Sequence, residues 1–231
     1  MWLKGIPPAE LNKLPLVRAR LKLVAKARQE TDTVSVRPLA NTPTLFAQDR
    51  QPDVDYLAIP EVSSESRRFV PMAFLPKTVI GSNKLLIGVG ATSYHFGILN
   101  SSMHNAWVRA VAGRLESRLS YAPAVYNNFP WPEPTDKQET AIAVAAQAVL
   151  DARTLFPDTL LSVLYSSLGM PPELTKAHAD LDRVVDAAYG RRTFKSEAER
   201  VAFLFERYES TIAPLYVEKA KKVVRTATVK G

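Results

Sequence analysis

The sequence predicts an α+β protein, an irregular mixed or antiparallel sheet with accompanying helices followed by a small C-terminal helical bundle. Three observations carry this expectation. Up to about residue 125, short β-branched and aromatic runs alternate with prolines and other turn formers, which is the texture of short strands. Beyond residue 132 nearly every stretch has helical period. Between the two lies Val125-Tyr126-Asn127-Asn128-Phe129-Pro130-Trp131-Pro132, where two prolines around a tryptophan fix φ, remove backbone donors and make a stiff, extended corner. The expected boundaries are 1–132 for a first domain, 133–216 for a helical domain and 217–231 for a basic, flexible tail.

In chain order, Ala9 to Gln29 reads as a helix with Leu14, Val17, Leu21 and Val24 on one stripe, its regular part starting at Pro15. Strand-like runs follow at Val34-Ser35-Val36, Thr44-Leu45-Phe46, Tyr56 to Ile59, Phe69 to Met72, Thr78-Val79-Ile80 and Lys84 to Ile87. Thr92–Leu99 and Ser101–Ala112 look helical, with Gly113 as C-cap. After the corner, Thr135 with Gln138 forms a capping-box pattern that opens an alanine-rich helix running to about Phe156. A shorter helix is expected over Asp158–Leu168. Pro171-Pro172-Glu173 starts another, with Leu174, Leu181, Val185 and Ala188 at helical spacing before Gly190 stops it. Ser196 and Glu199 cap the last, whose stripe is Val201, Leu204, Phe205, Tyr208 and Ile212.

At 231 residues, 46% hydrophobic and 23% charged, the chain is long enough to bury a core and has an ordinary globular composition. No run approaches the roughly 18 apolar residues of a membrane span, and no signal peptide opens it. Zero cysteines exclude disulfides and thiolate metal sites, and together these features predict a cytoplasmic protein. The formal net charge is +7, divided as +7 over residues 1–125, −5 over 126–190 and +5 over 191–231. A basic first part favours a polyanionic partner on one face.

Catalytic patterns are missing. Gly88 and Gly90 follow a strand-like run, but the third glycine and a ribose-binding acid some twenty residues on are absent, so no dinucleotide site is predicted. His95, His104 and His178 lack metal-ligand spacing and read as surface or satisfied core residues. Ser63-Ser64 and Ser101-Ser102 lack nucleophile-elbow glycines.

Three ordered stretches carry a resemblance: Ile59-Pro60-Glu61-Val62-Ser63-Ser64-Glu65-Ser66-Arg67-Arg68-Phe69-Val70-Pro71, then Met103-His104-Asn105-Ala106-Trp107-Val108-Arg109-Ala110-Val111-Ala112-Gly113-Arg114-Leu115, then Val125 to Pro132. With Leu181 to Gly190 downstream, the chain resembles the target-recognition region and closing helical domain of the MmeI-like, type IIL single-chain restriction–modification enzymes, relatives of adenine-specific DNA methyltransferases. Asn127-Asn128-Phe129-Pro130 resembles the Asn-Pro-Pro-Tyr catalytic loop of amino-methyltransferases only superficially, because Asn128 replaces the proline that restrains that loop. The resemblance therefore implies a fragment without activity of its own. The family's nuclease, cofactor-binding motif and catalytic loop are expected before Met1.

It further implies that this region binds double-stranded DNA and reads base edges, while a methyltransferase domain of the same parent protein flips and methylates an adenine with S-adenosylmethionine. No cofactor is expected in this chain. Positions that set base preference in such enzymes appear here as Glu61, Asn83, Lys84, Glu116, Arg118 and Ser120. A carboxylate accepts from cytosine N4 and a guanidinium donates to guanine O6 and N7, so Glu116 with Arg118 suits one C·G pair. Glu61 with Asn83, and Lys84 with Ser120, form two further expected readers. Arg67, Arg68, Arg109 and Arg114 are candidate phosphate contacts, with pairing to local acids as the alternative for Arg109 and Arg114. The competing reading is a protein-interaction module that docks a subunit through its bundle and the aromatics Phe129 and Trp131.

Overall fold

Two prolines decide how the chain enters its first helices. In the computed structural model, which describes the backbone of residues 2–190 and 193–228 and the side chains of 2–190 and 193–213, Pro8 opens α1 (Pro8–Asn12) and Pro15 opens α2 (Pro15–Gln29). Each proline takes the first helical position, where its missing N–H would have no intrahelical partner anyway. The single helix expected from Ala9 is thus two, broken at Lys13–Leu14.

The chain forms two compact units, residues 1–51 and 52–231. In the first, α2 buries none of its residues fully. Val34-Ser35-Val36 is not a strand but part of a 3-10 helix over Val34–Asn41, and Thr44-Leu45-Phe46 lies in turns. The reason is local: the Arg28 guanidinium donates to the carbonyls of Leu39 (2.8 Å), Thr42 (3.1 Å) and Leu45 (2.8 Å), which curls the segment around one side chain. Carbonyls held in this way do not form a strand ladder.

The second unit holds two three-stranded antiparallel sheets. One has the order β3 (Ala73–Leu75), β1 (Tyr56–Pro60), β4 (Leu85–Val89); the other β2 (Val62–Ser63), β6 (Arg118–Ser120), β5 (Gly113–Leu115). Tyr56, Leu57, Ala58 and Ile59 of β1 are all buried, as a central strand covered on both faces requires. Phe69–Met72 and Thr78–Ile80 do not pair as strands. Val70 N–H donates to the Asn105 side chain at 2.8 Å, and Val79 C=O accepts from the Tyr56 hydroxyl at 2.8 Å, so side chains satisfy this backbone instead of a ladder.

Around the sheets lie α3 (Ser93–Leu99), α4 (Ser102–Val111), α5 (Pro123–Asn127), α6 (Asp136–Thr154), α7 (Leu161–Leu164), α8 (Pro172–Ala188) and α9 (Glu197–Thr228). The capping box of α6 forms as the sequence predicts: Thr135 N–H donates to Gln138 Oε1 at 2.9 Å and Gln138 N–H to Thr135 Oγ1 at 3.4 Å. Leu174, Leu181, Val185 and Ala188 of α8 are buried, and Gly190 ends the helix at φ 78°. Gly113 does not cap α4; Ala112 turns extended and Gly113 begins β5. Only Leu161–Leu164 of the helix expected over Asp158–Leu168 is helical. The front of the corner is also different, since Val125 to Asn127 belong to α5 and the extended run follows it. The predicted flexible tail, 217–231, falls on residues whose side chains, and for 229–231 also the backbone, lie outside the described residues.

One apolar core runs from Leu57 and Phe69 through Phe96, Trp107 and Phe129 to Ile142, Leu181 and Leu204. A close helix contact lies at Gly97 of α3, where an added Cβ would stand 2.8 Å from Ile142 Cγ2 and 3.1 Å from Ala146 Cβ on α6. Several polar side chains inside pair with one another or with backbone. Arg153 donates to Met72 C=O (2.7 Å), to the Tyr165 hydroxyl (2.6 and 2.9 Å) and to Asn100 Oδ1 (3.4 Å). Tyr165 in turn lies 2.7 Å from His178 Nε2. Asp182 accepts from the backbone N–H of Ser102 at 2.6 Å and from its hydroxyl, capping α4 from α8. Burial pushes the Asp182 carboxyl above its ordinary range against the pull of those bonds.

Candidate nucleic-acid interface

Six residues expected to read bases fall into two places, and backbone bonds explain both. Glu61 sits between β1 and β2, at the joint of the two sheets. Its N–H donates to Lys84 C=O at 3.0 Å, on the side of β4, and its C=O accepts from Tyr121 N–H at 2.7 Å, just past β6. This joint brings Lys84 Nζ to 3.2 Å from the Glu61 carboxylate. Asn83 is the exposed neighbour of Lys84, and Ser120, half-buried, faces Val62 across the β2–β6 ladder. The joint therefore gathers Glu61, Asn83, Lys84 and Ser120, and within it Glu61 forms an ion pair with Lys84.

The second place is the β5–β6 hairpin. Leu115 pairs with Arg118, leaving Glu116 and Ser117 as a two-residue turn. Glu116 has φ 57°, the one positive φ of a non-glycine among the described residues. An L-residue there stores roughly 1–2 kcal/mol of strain that glycine would avoid. The turn holds the Glu116 carboxylate 2.7 Å from the Arg118 guanidinium, with both side chains exposed. Alternation along β6 turns Leu119 into the core and leaves Arg118 outside.

Each place thus displays an acceptor beside a cationic donor on rigid backbone. That is the complement of a base pair's edge, where one partner donates and the other accepts. Exposed ion pairs of this kind contribute little to stability, so they exchange partners easily.

The four arginines differ among themselves. Arg68 is exposed, stands over the Phe69 ring at 5.1 Å and reaches Asp182 at 3.6 Å. Arg114 lies on the exposed strand β5 and donates to Arg109 C=O at 3.2 Å. Arg67 is half-buried and donates to Ser162 C=O at 3.5 Å. Arg109 is an internal clasp: Nε and Nη2 grip both Glu197 oxygens at 2.7 and 2.6 Å, and Nη1 donates to Arg68 C=O at 2.8 Å. Pairing with a local acid, the alternative open for Arg109, is present in the fold, and it occupies three of the five guanidinium N–H groups.

Phe129 is buried and Trp131 packs against it at 5.7 Å between ring centroids, so the corner's aromatics serve the core. Among the described residues no group of three histidines, carboxylates or thiols is placed to hold a metal, and no helix is long and apolar enough to cross a membrane. One residue of this region, Tyr121, carries no signal in the motifs of the sequence. Tyr121 is buried beside the joint, and its hydroxyl lies 3.0 Å from His104 Nε2. The period-two burial of Leu119 and Tyr121 was the available signal.

Comparisons with known proteins agree with one another. The family model described as the MmeI target recognition domain matches residues 1–133, and that of the MmeI C-terminal domain matches 134–216. The chain is 34% identical over 210 residues to DNA methyltransferase A of Bacillus subtilis (strain 168), covering 90% of this chain and 24% of that protein. A solved structure, the type IIL restriction–modification enzyme MmeI in complex with DNA, superposes with a TM-score of 0.86 at 46% identity, covering 92% of this chain and 28% of the other. The chain spans about a quarter of the length of these relatives. On these matches and on its α+β fold, the chain belongs to the MmeI family, as its target recognition and C-terminal domains.

Proposed function

We propose that this chain is the DNA sequence-recognition module of a restriction–modification system or S-adenosylmethionine-dependent adenine-N6 DNA methyltransferase, reading base edges in the major groove without catalysing the reaction itself. The observation that carries this reading is the pair of exposed acceptor–donor couples, Glu61 with Lys84 and Glu116 with Arg118, each fixed by strand geometry. Asn83 and Ser120 extend the first couple. Arg68 and Arg114, with Arg67, supply phosphate contacts, which set register and carry no sequence information. In this reading the functional division is 1–132 for recognition and 133–216 for support. The methyltransferase domain of the same parent closes the other side of the DNA and brings the cofactor, and the protein works in the cytoplasm.

Binding to a duplex pool across salt concentrations tests this. Three phosphate contacts give a slope of log affinity against log salt of about −2.7 or steeper. Binding indifferent to salt, or an equal retention volume in size exclusion with and without duplex, contradicts the proposal and favours subunit docking.

A further inference from the structure

The base-reading joint hangs on a buried relay whose side chains, Tyr121 and His104, are not those of the readers. Glu61 C=O accepts from Tyr121 N–H at 2.7 Å, fixing the turn of backbone from which the Glu61 side chain projects. Tyr121 follows Ser120 directly, and Ser120 and Leu119 pair with Val62 and Ser63. The ring of Tyr121 is 2% exposed, and its hydroxyl meets His104 Nε2 at 3.0 Å. On its other side, His104 Nδ1 lies 2.9 Å from Leu99 C=O, at the end of α3. A carbonyl only accepts, so Nδ1 carries the proton and Nε2 takes the hydrogen bond from the tyrosine.

The direction of every bond is therefore settled: Tyr121 donates to His104, and His104 donates to Leu99. His104 is itself immobile, wholly buried on α4 with its ring edge-to-face on Phe129 at 4.9 Å. Side-chain rotation cannot relax such a chain without leaving a buried polar group unmet.

Resting on the base-reading role proposed above, we infer that Tyr121 and His104 are positioning residues for recognition, setting the direction in which Glu61 and Ser120 meet the DNA. The relay ends at the joint. The β5–β6 turn with Glu116 and Arg118 lies beyond it, held by its own ladder. The effect is accordingly selective: loss of the relay blurs the base pair read by Glu61 and Lys84 and spares that read by Glu116 and Arg118.

The test selects duplexes from a pool with randomised base pairs, using the 231-residue chain and its Tyr121→Phe and His104→Gln variants. Glu61→Gln and Arg118→Ala variants, run in parallel, identify which selected positions belong to which reader. Tyr121→Phe is expected to lower discrimination about tenfold at the Glu61 positions, the scale of a lost supporting bond behind a recognition contact, and less than twofold at the Arg118 positions. His104→Gln supplies an acceptor and a donor in one side chain and is expected to retain most of the discrimination that Tyr121→Phe loses. Unchanged discrimination in both variants overturns the inference and leaves the base-reading role standing. Equal blurring at all positions also overturns it, because it marks a general loss of structure. If the unmodified chain selects no sequence, the base-reading role fails and the positioning role fails with it.

Discussion

The molecule contains two populations of polar pairs with the same chemistry and opposite surroundings. Inside, Arg153 with Tyr165, Asp182 with Ser102 and His104 with Tyr121 are closed off from water. Outside, Glu61 with Lys84 and Glu116 with Arg118 stand in solvent at comparable distances. Desolvation separates them. A buried donor that loses its partner keeps the cost of leaving water, whereas an exposed one rebinds water. The first population fixes geometry, and the second remains free to change partners. A module that must hold a shape while reading a variable edge needs both.

Breaking the inner population has the largest effects. Arg153→Ala removes a buried cation with three kinds of acceptor around it and leaves Met72 C=O unmet. The expected loss is about 3 kcal/mol, measured by urea unfolding. Gly97→Ala forces α3 from α6 at Ile142 and is expected to destabilise by about 2 kcal/mol, although it adds a single methyl.

Acid separates the populations in another way. Burial lowers His104 to about 4 and His178 to about 3, in both cases the largest cause, so both are neutral in the fold. The unfolded chain protonates them near pH 6.5, so their contribution to stability is complete above that value and is lost as pH falls towards 4. Asp186, raised to about 6 chiefly by burial, opposes this, because the fold protonates it first as pH falls. His104→Gln should remove one proton from the uptake on unfolding. Stability measured between pH 6 and 5 should then vary less steeply with pH by about 1.1 kcal/mol per unit. An unchanged slope would mean that His104 is already protonated in the fold.

The outer population behaves differently. Glu116→Gly should stabilise the chain by about 1 kcal/mol in thermal unfolding, because glycine accepts the positive φ, and should weaken base selection at the same time. Lys84→Ala should change stability by less than about 0.5 kcal/mol while altering selection. A stability loss as large as that of Arg153→Ala would erase the distinction between the two populations.

How much of this is visible in the sequence follows from where the partners lie. The capping box at Thr135, the α8 stripe and the stop at Gly190 are each written within or next to a single helix, and each was legible. Val34–Val36 and Thr44–Phe46 have strand composition, but strand pairing depends on distant residues, and Arg28 claims their neighbourhood instead. Arg153 in an alanine-rich helix looks like an ordinary surface arginine; its partners Met72 and Asn100 are 81 and 53 residues away. Glu116 and Arg118 could be paired by eye because they are two apart. The Glu61–Lys84 pair required the joint between two sheets, which no local pattern reveals.

The most direct measurement of the central claim is duplex selection with Glu116→Lys combined with Arg118→Asp. Reversing the acceptor and donor on the same turn should invert the preferred base pair at one position, C·G for G·C, with overall affinity nearly kept. A uniform loss of binding to every sequence would contradict the account and leave these residues as mere contributors to charge.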